Sequence, residues 1–257
     1  MKYLIKLALK LIPRHYLHRI SHFFLIIVSP FYRGNNYEDP INGIKYRKLL
    51  PYGRRNPRKN ALAPDSMSLE RHRAFYLYLK EKTDFFSSNL RILHIAPEYC
   101  FLKKFKKIDN IEYITGDLNS PWADVKMDVH EIPFEDNSFD VIFANHLLEH
   151  VENDLEVMKE FYRVMKPKGW GIFQVPIDRN RETTYENPAI TSPKEREKHF
   201  WQSDHLRLYG KDYANRLASV GFKVIEDDFI QSLSENQIKR YCLPENEIIY
   251  YCSKPEN

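Results

Sequence analysis

Ile132-Pro133-Phe134-Glu135-Asp136-Asn137-Ser138-Phe139-Asp140-Val141-Ile142-Phe143-Ala144 is the stretch on which the fold turns. Its last six residues form a short, largely apolar run entered from a turn. That is the profile of a strand buried on both faces of a parallel sheet. Asn153 or Asp154 then caps a helix predicted through Met165, which Lys166-Pro167-Lys168-Gly169 should stop. Trp170 to Val175 is the next strand and ends at a proline.

The same alternation runs outward from there. Upstream, Arg91-Ile92-Leu93-His94-Ile95-Ala96 is an apolar run ending in Pro97, and Ile111-Glu112-Tyr113-Ile114-Thr115 ends at Gly116-Asp117. Ala123 to Val129 is a weaker strand between them and the opening stretch. Downstream, Lys211 to Val220 reads as a helix ended by Gly221, with Phe222 to Glu226 and Glu247 to Cys252 as a last pair of strands. Strands alternating with helices predict an α/β fold with a doubly wound parallel sheet. Ahead of it, Ser68 is placed to cap a helix beginning Leu69-Glu70-Arg71, with Leu69, His72, Tyr76 and Leu79 on one face.

In such a sheet ligands bind beyond the carboxyl ends of the strands. The residues there are Ala96, Pro97 and Glu98 after the first strand, and Asp117 with Leu118 after the second. Asp128 and Val129 close the third, and Asn145 and His146 follow the fourth. A carboxylate at the end of the second strand can accept hydrogen bonds from both hydroxyls of a ribose. Asp117 stands about twenty residues beyond the first loop, the separation a mononucleotide half-fold requires. The alternative makes Asp117 a turn residue in Gly116-Asp117-Leu118-Asn119.

Three runs carry a family resemblance. Ile132 to Ile142, Leu147-Leu148-Glu149-His150-Val151, and Phe161-Tyr162-Arg163-Val164-Met165-Lys166-Pro167-Lys168-Gly169 resemble successive motifs of the class I S-adenosylmethionine-dependent methyltransferases, of type 11 kind. The resemblance implies a seven-stranded Rossmann-like sheet and S-adenosylmethionine as cofactor. Asp117 would lie at the ribose, Asp128 near the adenine, and the residues around Asn145 would face the methyl donor. The first loop departs from the family's glycine-rich turn, since His94-Ile95-Ala96-Pro97-Glu98-Tyr99-Cys100 contains no glycine. It resembles instead a bacterial subfamily with a "LHIAPE" motif. That likeness extends to Pro51-Tyr52-Gly53, Ser68 to Arg73, and Asp204-His205-Leu206-Arg207-Leu208-Tyr209-Gly210. In that subfamily Glu98 would reach the donor's ammonium, and the alternative makes it a solvated turn residue.

The subfamily's N-terminal module holds two Cys-Pro-x-Cys knuckles that resemble a four-cysteine zinc site. Here the matching stretches read Asp39-Pro40-Ile41-Asn42 and Ala63-Pro64-Asp65-Ser66. No thiolate remains, so no metal is expected and packing should hold the module. The expected organisation is a basic helical segment over 1–36, this degenerate module over 37–67, and the methyltransferase domain over 68–257.

Candidate acceptor residues lie in the long connection after the fifth strand: Asp178, Tyr185, Glu186, Arg207 and Tyr209, with His205 as general base and His146 second. Arg207 could clamp an anion or pair with the acidic body. His205 could equally serve as a structural hydrogen-bonding group. The reaction expected is methyl transfer to a small-molecule or glycan-like acceptor, with an oxygen acceptor preferred. The rival readings are a catalytically silent S-adenosylmethionine-binding scaffold and an RNA-binding methyltransferase.

Charge is distributed unevenly. Residues 1–33 carry six Lys/Arg and no acid, and residues 34–64 carry seven against Glu38 and Asp39, leaving a net −7 on residues 65–257. An acidic body argues against nucleic acid as the partner of the main domain. Lys45, Arg47, Lys48, Arg54, Arg55, Arg58 and Lys59, interleaved with Tyr46 and Tyr52, form either a polyanion site or a solvated face. Leu4 to Ile12 is interrupted by Lys6 and Lys10 and no small-residue cleavage site follows, which argues against a secretory signal, and the run Phe23 to Val28 is too short to span a bilayer and ends at Pro30. Lys2, Lys6 and Lys10 share one face of a basic amphipathic helix, which packs on protein or makes peripheral contact with an anionic membrane through residues 1–33. Three cysteines without paired spacing suit a reducing, cytoplasmic setting, including the inner face of a membrane. A monomer and a homodimer both remain open.

Overall fold

The computed structural model describes residues 14–53 and 56–256. The predicted basic helix around Lys2, Lys6 and Lys10, and the Arg54-Arg55 pair, lie outside these residues. The described chain opens with α1 (Arg14–Val28) and runs through short strands β1 (Arg33–Asp39), β2 (Ile44–Tyr46), β3 (Leu50–Tyr52) and β4 (Arg58–Leu62) to α2 (Glu70–Lys82). Then follow β5 (Leu90–Ile95), α3 (Tyr99–Phe105), β6 (Ile111–Asp117), β7 (Val125–Lys126), β8 (Phe139–Asn145), α4 (Asp154–Val164) and β9 (Met165–Gln174). The chain continues with β10 (Tyr185–Glu186), α5 (Pro193–His199), β11 (Arg207–Leu208), α6 (Tyr213–Ser219) and β12 (Lys223–Asp227). It closes with α7 (Phe229–Ser232), α8 (Glu235–Tyr241) and β13 (Ile249–Ser253).

Contacts divide the molecule into two compact units. One takes the described residues up to Phe86 with Glu98–Lys107 and Phe229–Glu247; the other takes Ser87–Pro97, Ile108–Asp228 and Ile248–Asn257. This partition differs from the sequence expectation of boundaries at 36 and 67. Helix α2 and two later excursions of the chain belong with the N-terminal segments: Phe101 packs on His72 and Phe75, Phe229 packs on Tyr78, and Arg73 donates to the carbonyls of Ala61 and Cys242.

The second unit holds the seven-stranded sheet, in the order β12-β13-β9-β8-β5-β6-β7. Strand β13 is antiparallel to both its neighbours, and the other neighbouring pairs run parallel. From β5 the chain winds one way through β6 and β7 and then the other way through β8 and β9. The switch in order therefore falls between β5 and β8, where an open sheet leaves its ligand crevice. The core gathers Leu93, Ile95, Phe139, Ile142 and Phe173 with Val157, Met158 and Phe161 from α4.

The opening stretch earns its conformation from Arg163. That guanidinium donates to the carbonyls of Ile132 (2.9 Å) and Phe134 (2.9 Å) and to the carboxylates of Asp136 (2.8 Å) and Glu160 (2.7 Å). Two of the family-like runs thus hold one another in place. Asn153 caps α4 through a bond from the Glu156 amide, as expected. The helix stops at Val164 without a loop: Met165 already pairs with Phe139, and Lys166–Gly169 form an irregular bulge before Trp170 pairs with Val141. Gly221, at φ +112°, turns the chain into β12 where a Cβ would stand 2.9 Å from the Tyr162 ring.

In the first unit, α2 is buried almost all round, from His72 to Leu79, and not only on the predicted face. Its cap also differs from the expected one. Leu69 occupies the cap position and its amide donates to His72 Nδ1 at 3.1 Å, while the Ser68 hydroxyl turns away to Asp39. The four short strands form two hairpins, β1–β2 and β3–β4. Asp39 is fully buried and accepts from the Ser66 hydroxyl, the Ser68 hydroxyl (3.1 Å) and the Ile41 amide (3.0 Å). Arg73, also buried, donates to the carbonyls of Ala61, Ser68, Tyr241 and Cys242. Hydrogen bonds thus tie these segments together.

Candidate functional site

The carboxyl edge of the sheet in the second unit is built from backbone that only special residues normally adopt. Ala96 follows β5 at φ +49°, and its amide donates to the Gly116 carbonyl at 2.9 Å. The missing glycine is therefore replaced by an alanine forced into the left-handed region, at a cost of about 1–2 kcal/mol. His146 follows β8 at φ +53°, its amide on the Gln174 carbonyl. Two unfavourable turns at the same sheet edge are the kind of strain that functional sites retain.

Asp117 is the last residue of β6. Its Oδ1 accepts from the amides of Asn119 (2.7 Å) and Ser120 (2.6 Å), and Oδ2 takes no partner among the described residues. Both readings of this acid therefore hold: one oxygen builds the turn, and the other is free for a ligand. Leu118 beside it is half-exposed. Asp128 is exposed, and bonds from the His130 amide and ring hold its carboxyl below the usual range. Val129 packs its side chain into the core. Pro97 is half-buried. Glu98 belongs to the first unit, where its carbonyl accepts from the Phe101 amide at the start of α3.

A polar cluster follows β8. Asn145 is buried; His146 Nδ1 lies 3.4 Å from Glu149 Oε1, and His146 Nε2 has no partner among the described residues. Glu149 is 1% exposed, with Oε2 unpartnered. The His150 ring meets His205 edge-on at 4.8 Å between centroids. Both ring nitrogens of His205 lack a well-formed hydrogen bond, although the Phe200 backbone lies close enough to act on it electrostatically. Burial pushes the His205 pKa down, with Glu149 opposing, so the ring is neutral at neutral pH. His205 and His146 were expected from the sequence. Glu149 and His150 were not singled out, although they stand in the Leu147–Val151 motif: the run reads as a family marker before it reads as chemistry.

The connection after β9 is more structural than the sequence suggested. Of the two roles open to Arg207, clamping an anionic acceptor or pairing with the acidic body, its contacts fit the second: it is only 3% exposed and faces Glu186 and Asp154. It donates to the carbonyls of Leu148 (2.7 Å), Val151 (2.6 Å) and Glu152 (2.7 Å) and to Glu186 Oε2 (3.1 Å). Tyr209 is fully buried, its hydroxyl on Asp154 Oδ2 at 2.8 Å. Both residues anchor the loop that carries Glu149 and His150 and leave no group for an acceptor. Asp178 caps its own turn through the Asn180 amide and pairs with Arg181. Tyr185 remains half-buried, its hydroxyl 3.1 Å from His199 Nδ1.

Comparison with known proteins adds to this geometry. Residues 101–173 match the family model described as methyltransferase domain. Over 84 residues the chain is 33% identical to the sterol 4-C-methyltransferase strm-1 of Caenorhabditis elegans, covering 33% of this chain and 23% of that one. Over 87 residues it is 34% identical to the demethylmenaquinone methyltransferase of Chlorobaculum tepidum, covering 34% and 31%. The chain thus spans under a third of the length of these relatives. Among solved structures, the [4+2]-cyclase SpnF superposes with a TM-score of 0.52 at 13% identity, over 93% of this chain and 96% of that one. A SAM-dependent methyltransferase from Archaeoglobus fulgidus superposes at 0.45 and 18%, over 70% and 93%.

Proposed function

We propose that this chain, a class I S-adenosylmethionine-dependent methyltransferase by its domain match and its sheet, methylates an oxygen of a small-molecule or glycan-like acceptor. The cofactor, when bound, supplies an electrophilic methyl group on a sulfonium centre. The observation that carries the reading is Asp117, a strand-end carboxylate with one oxygen committed to its turn and the other unspent. That is the acceptor chemistry a ribose diol needs.

The neighbouring residues suit the remaining parts of such a ligand. Leu118 offers exposed apolar surface for a base ring, and Asp128 an exposed acceptor. The turn at Ala96 brings main chain to the sheet edge without a bulky side chain. His205 is held neutral by burial, so its ring can take a proton from an acceptor hydroxyl as that oxygen is alkylated. The matched relatives are named for a sterol, a malonyl group on acyl carrier protein and demethylmenaquinone, which supports a small-molecule acceptor.

Titration calorimetry with S-adenosylhomocysteine tests the first half of the reading, and a saturable heat at one site per chain is expected. No heat, together with no thermal shift, would overturn it in favour of a scaffold without cofactor. Incubation with methyl-labelled S-adenosylmethionine and a panel of phenols, quinols and glycans tests the second. His205→Ala should then depress turnover by about 10²-fold while cofactor affinity stays near wild type.

A further inference from the structure

We propose that Glu149, His150 and His205 form a site for one divalent transition-metal ion. One ligand atom from each of the three lies within 4.8 Å of the others. Ligands around a tetrahedral ion, each at about 2.1 Å, sit roughly 3.4 Å apart. Closing the cluster therefore takes side-chain rotation of about an ångström, with no backbone rearrangement.

Three independent features point to a cation. Glu149 is buried with one carboxylate oxygen that has no partner among the described residues, and His205 is buried with neither ring nitrogen in a well-formed hydrogen bond, the Phe200 backbone being its nearest polar neighbour. Polar atoms out of water without partners are rare, because they forfeit solvation and gain nothing in return. The third feature is the tautomer of His150. Its Nδ1 lies 3.2 Å from the Asp204 carbonyl, which can only accept, so Nδ1 carries the proton. The lone pair is thereby left on Nε2. A ligating histidine oriented through its other nitrogen is the usual arrangement around a metal.

The ligand chemistry narrows the ion. Two imidazoles and one carboxylate suit zinc, cobalt, manganese or iron(II), and they leave at least one position open. An open position takes an oxygen ligand, such as a hydroxyl of the acceptor. With an ion bound, the His205 lone pair would be coordinated, so lowering the acceptor hydroxyl's pKa would fall to the ion and His205 would act as base only in the metal-free protein. That consequence rests on the methyl-transfer reading; the metal site itself does not. The sequence reading expected no metal because it looked for thiolates in the N-terminal module, far along the chain from this cluster.

Cobalt(II) titration of the chelator-treated full chain tests the site. Visible d–d absorption should saturate near one cobalt per chain and be displaced by zinc. His205→Ala should weaken binding about a hundredfold or more, and His150→Ala, at a half-exposed position that leaves the core untouched, should do the same. Asp117→Ala should keep the cobalt spectrum while losing S-adenosylhomocysteine. A wild-type spectrum equal to that of aqueous cobalt, or saturation unchanged in His150→Ala, would overturn the site. Retained S-adenosylhomocysteine binding in either case would leave the methyl-transfer reading standing.

A second inference comes from α1 in the other unit. Its inward side is polar: His22 bonds the Tyr99 hydroxyl and the Asp65 carbonyl, each at 2.9 Å, and Ser29 bonds the Asp65 carboxylate. Its outward side is apolar. Ile20, Phe23, Phe24 and Ile27 follow helical spacing, Phe31 extends the patch from the turn after the helix, and Phe23, Phe24 and Phe31 are each at least 60% exposed. We infer that this face docks on an anionic lipid surface. The choice of lipid over a second protein copy rests on charge, since residues 1–33 carry six basic groups and no acid. Among the described residues no helix is long and apolar enough to cross a membrane, so the contact is peripheral.

Co-sedimentation of the full chain with phosphatidylcholine vesicles, with and without phosphatidylglycerol, tests this. Retention is expected only with the anionic lipid, and Phe23→Ser combined with Phe24→Ser should abolish it. A chain that stays in the supernatant would overturn the inference. So would a concentration-dependent dimer that the double variant dissolves without any vesicle binding.

Discussion

The carboxylate of Asp39 accepts a hydrogen bond from the hydroxyl of Ser66, joining the two segments that resemble metal-binding knuckles. The Ser68 hydroxyl and the Ile41 amide complete the carboxylate's shell in a fully buried position. Asp39→Ala would strand three donors, so we expect a loss of about 2–4 kcal/mol in urea unfolding. Burial pushes the Asp39 pKa above its ordinary 3.8, with the Ser66 bond opposing. The protonated form is therefore favoured on folding. Its contribution is present below pH 3.8 and lost as pH rises through the raised folded value. Asp39→Asn should flatten that part of the stability profile, and an unchanged profile would remove Asp39 as its source.

Ala96 pays for its left-handed turn with strain that glycine would not incur. Ala96→Gly should therefore stabilise the native turn by about 1–2 kcal/mol and give back roughly 0.5–1 in unfolded-chain entropy. A rise of a few degrees in the melting temperature is expected, with S-adenosylhomocysteine affinity unchanged. A fall would mean that the alanine methyl makes contacts that outweigh its backbone.

Much of the fold was legible because its decisive residues hold backbone in place. Arg163 grips the turn at Ile132–Asp136, so two motifs far apart in sequence are one structural device. Apolar runs ending in Pro97 and Pro176 marked buried strands for the same reason. The antiparallel course of β13 was not legible, since direction leaves no trace in a run as short as Ile249–Ser253. The site was read less well. Asp117 could be found from its strand end, but Arg207 and Tyr209 read as acceptor groups because a sequence cannot show that a guanidinium's donors are already used. Glu149 and His150 reach His205 only through folding over more than fifty residues.

Arg207 and Asp154 give the next test. Asp154 is buried between Arg216 (2.6 Å), the Tyr209 hydroxyl (2.8 Å) and Arg207 (3.9 Å). Arg207→Ala should cost about 3–5 kcal/mol, the scale for breaking a buried charge network. A substrate clamp would instead raise KM and leave stability intact, so thermal unfolding separates the two.

Asp154 also fixes an acid limit. Burial pushes its carboxyl up, but the Arg216 bond, the Arg207 charge and the Tyr209 hydroxyl outweigh this and hold it below 3.8. Its stabilisation is present above pH 3.8 and lost as pH falls through the lowered folded value. Asp154→Asn should be less stable at neutral pH and should lose little more on acidification. A variant that tracks the wild-type acid limb would refute this origin.

Asp117 carries two roles on two oxygens, and substitution can part them. Asp117→Asn keeps an acceptor for the Asn119 and Ser120 amides, so the turn and the melting temperature should hold. It replaces the second oxygen by an amide donor and removes the charge, and S-adenosylhomocysteine affinity should fall by about 1.5–3 kcal/mol. Asp117→Ala removes both oxygens and should lose the same affinity together with roughly 1 kcal/mol of stability. If asparagine binds as well as aspartate, the ribose is held elsewhere, and the acid is only the turn residue that Gly116-Asp117-Leu118-Asn119 also allows.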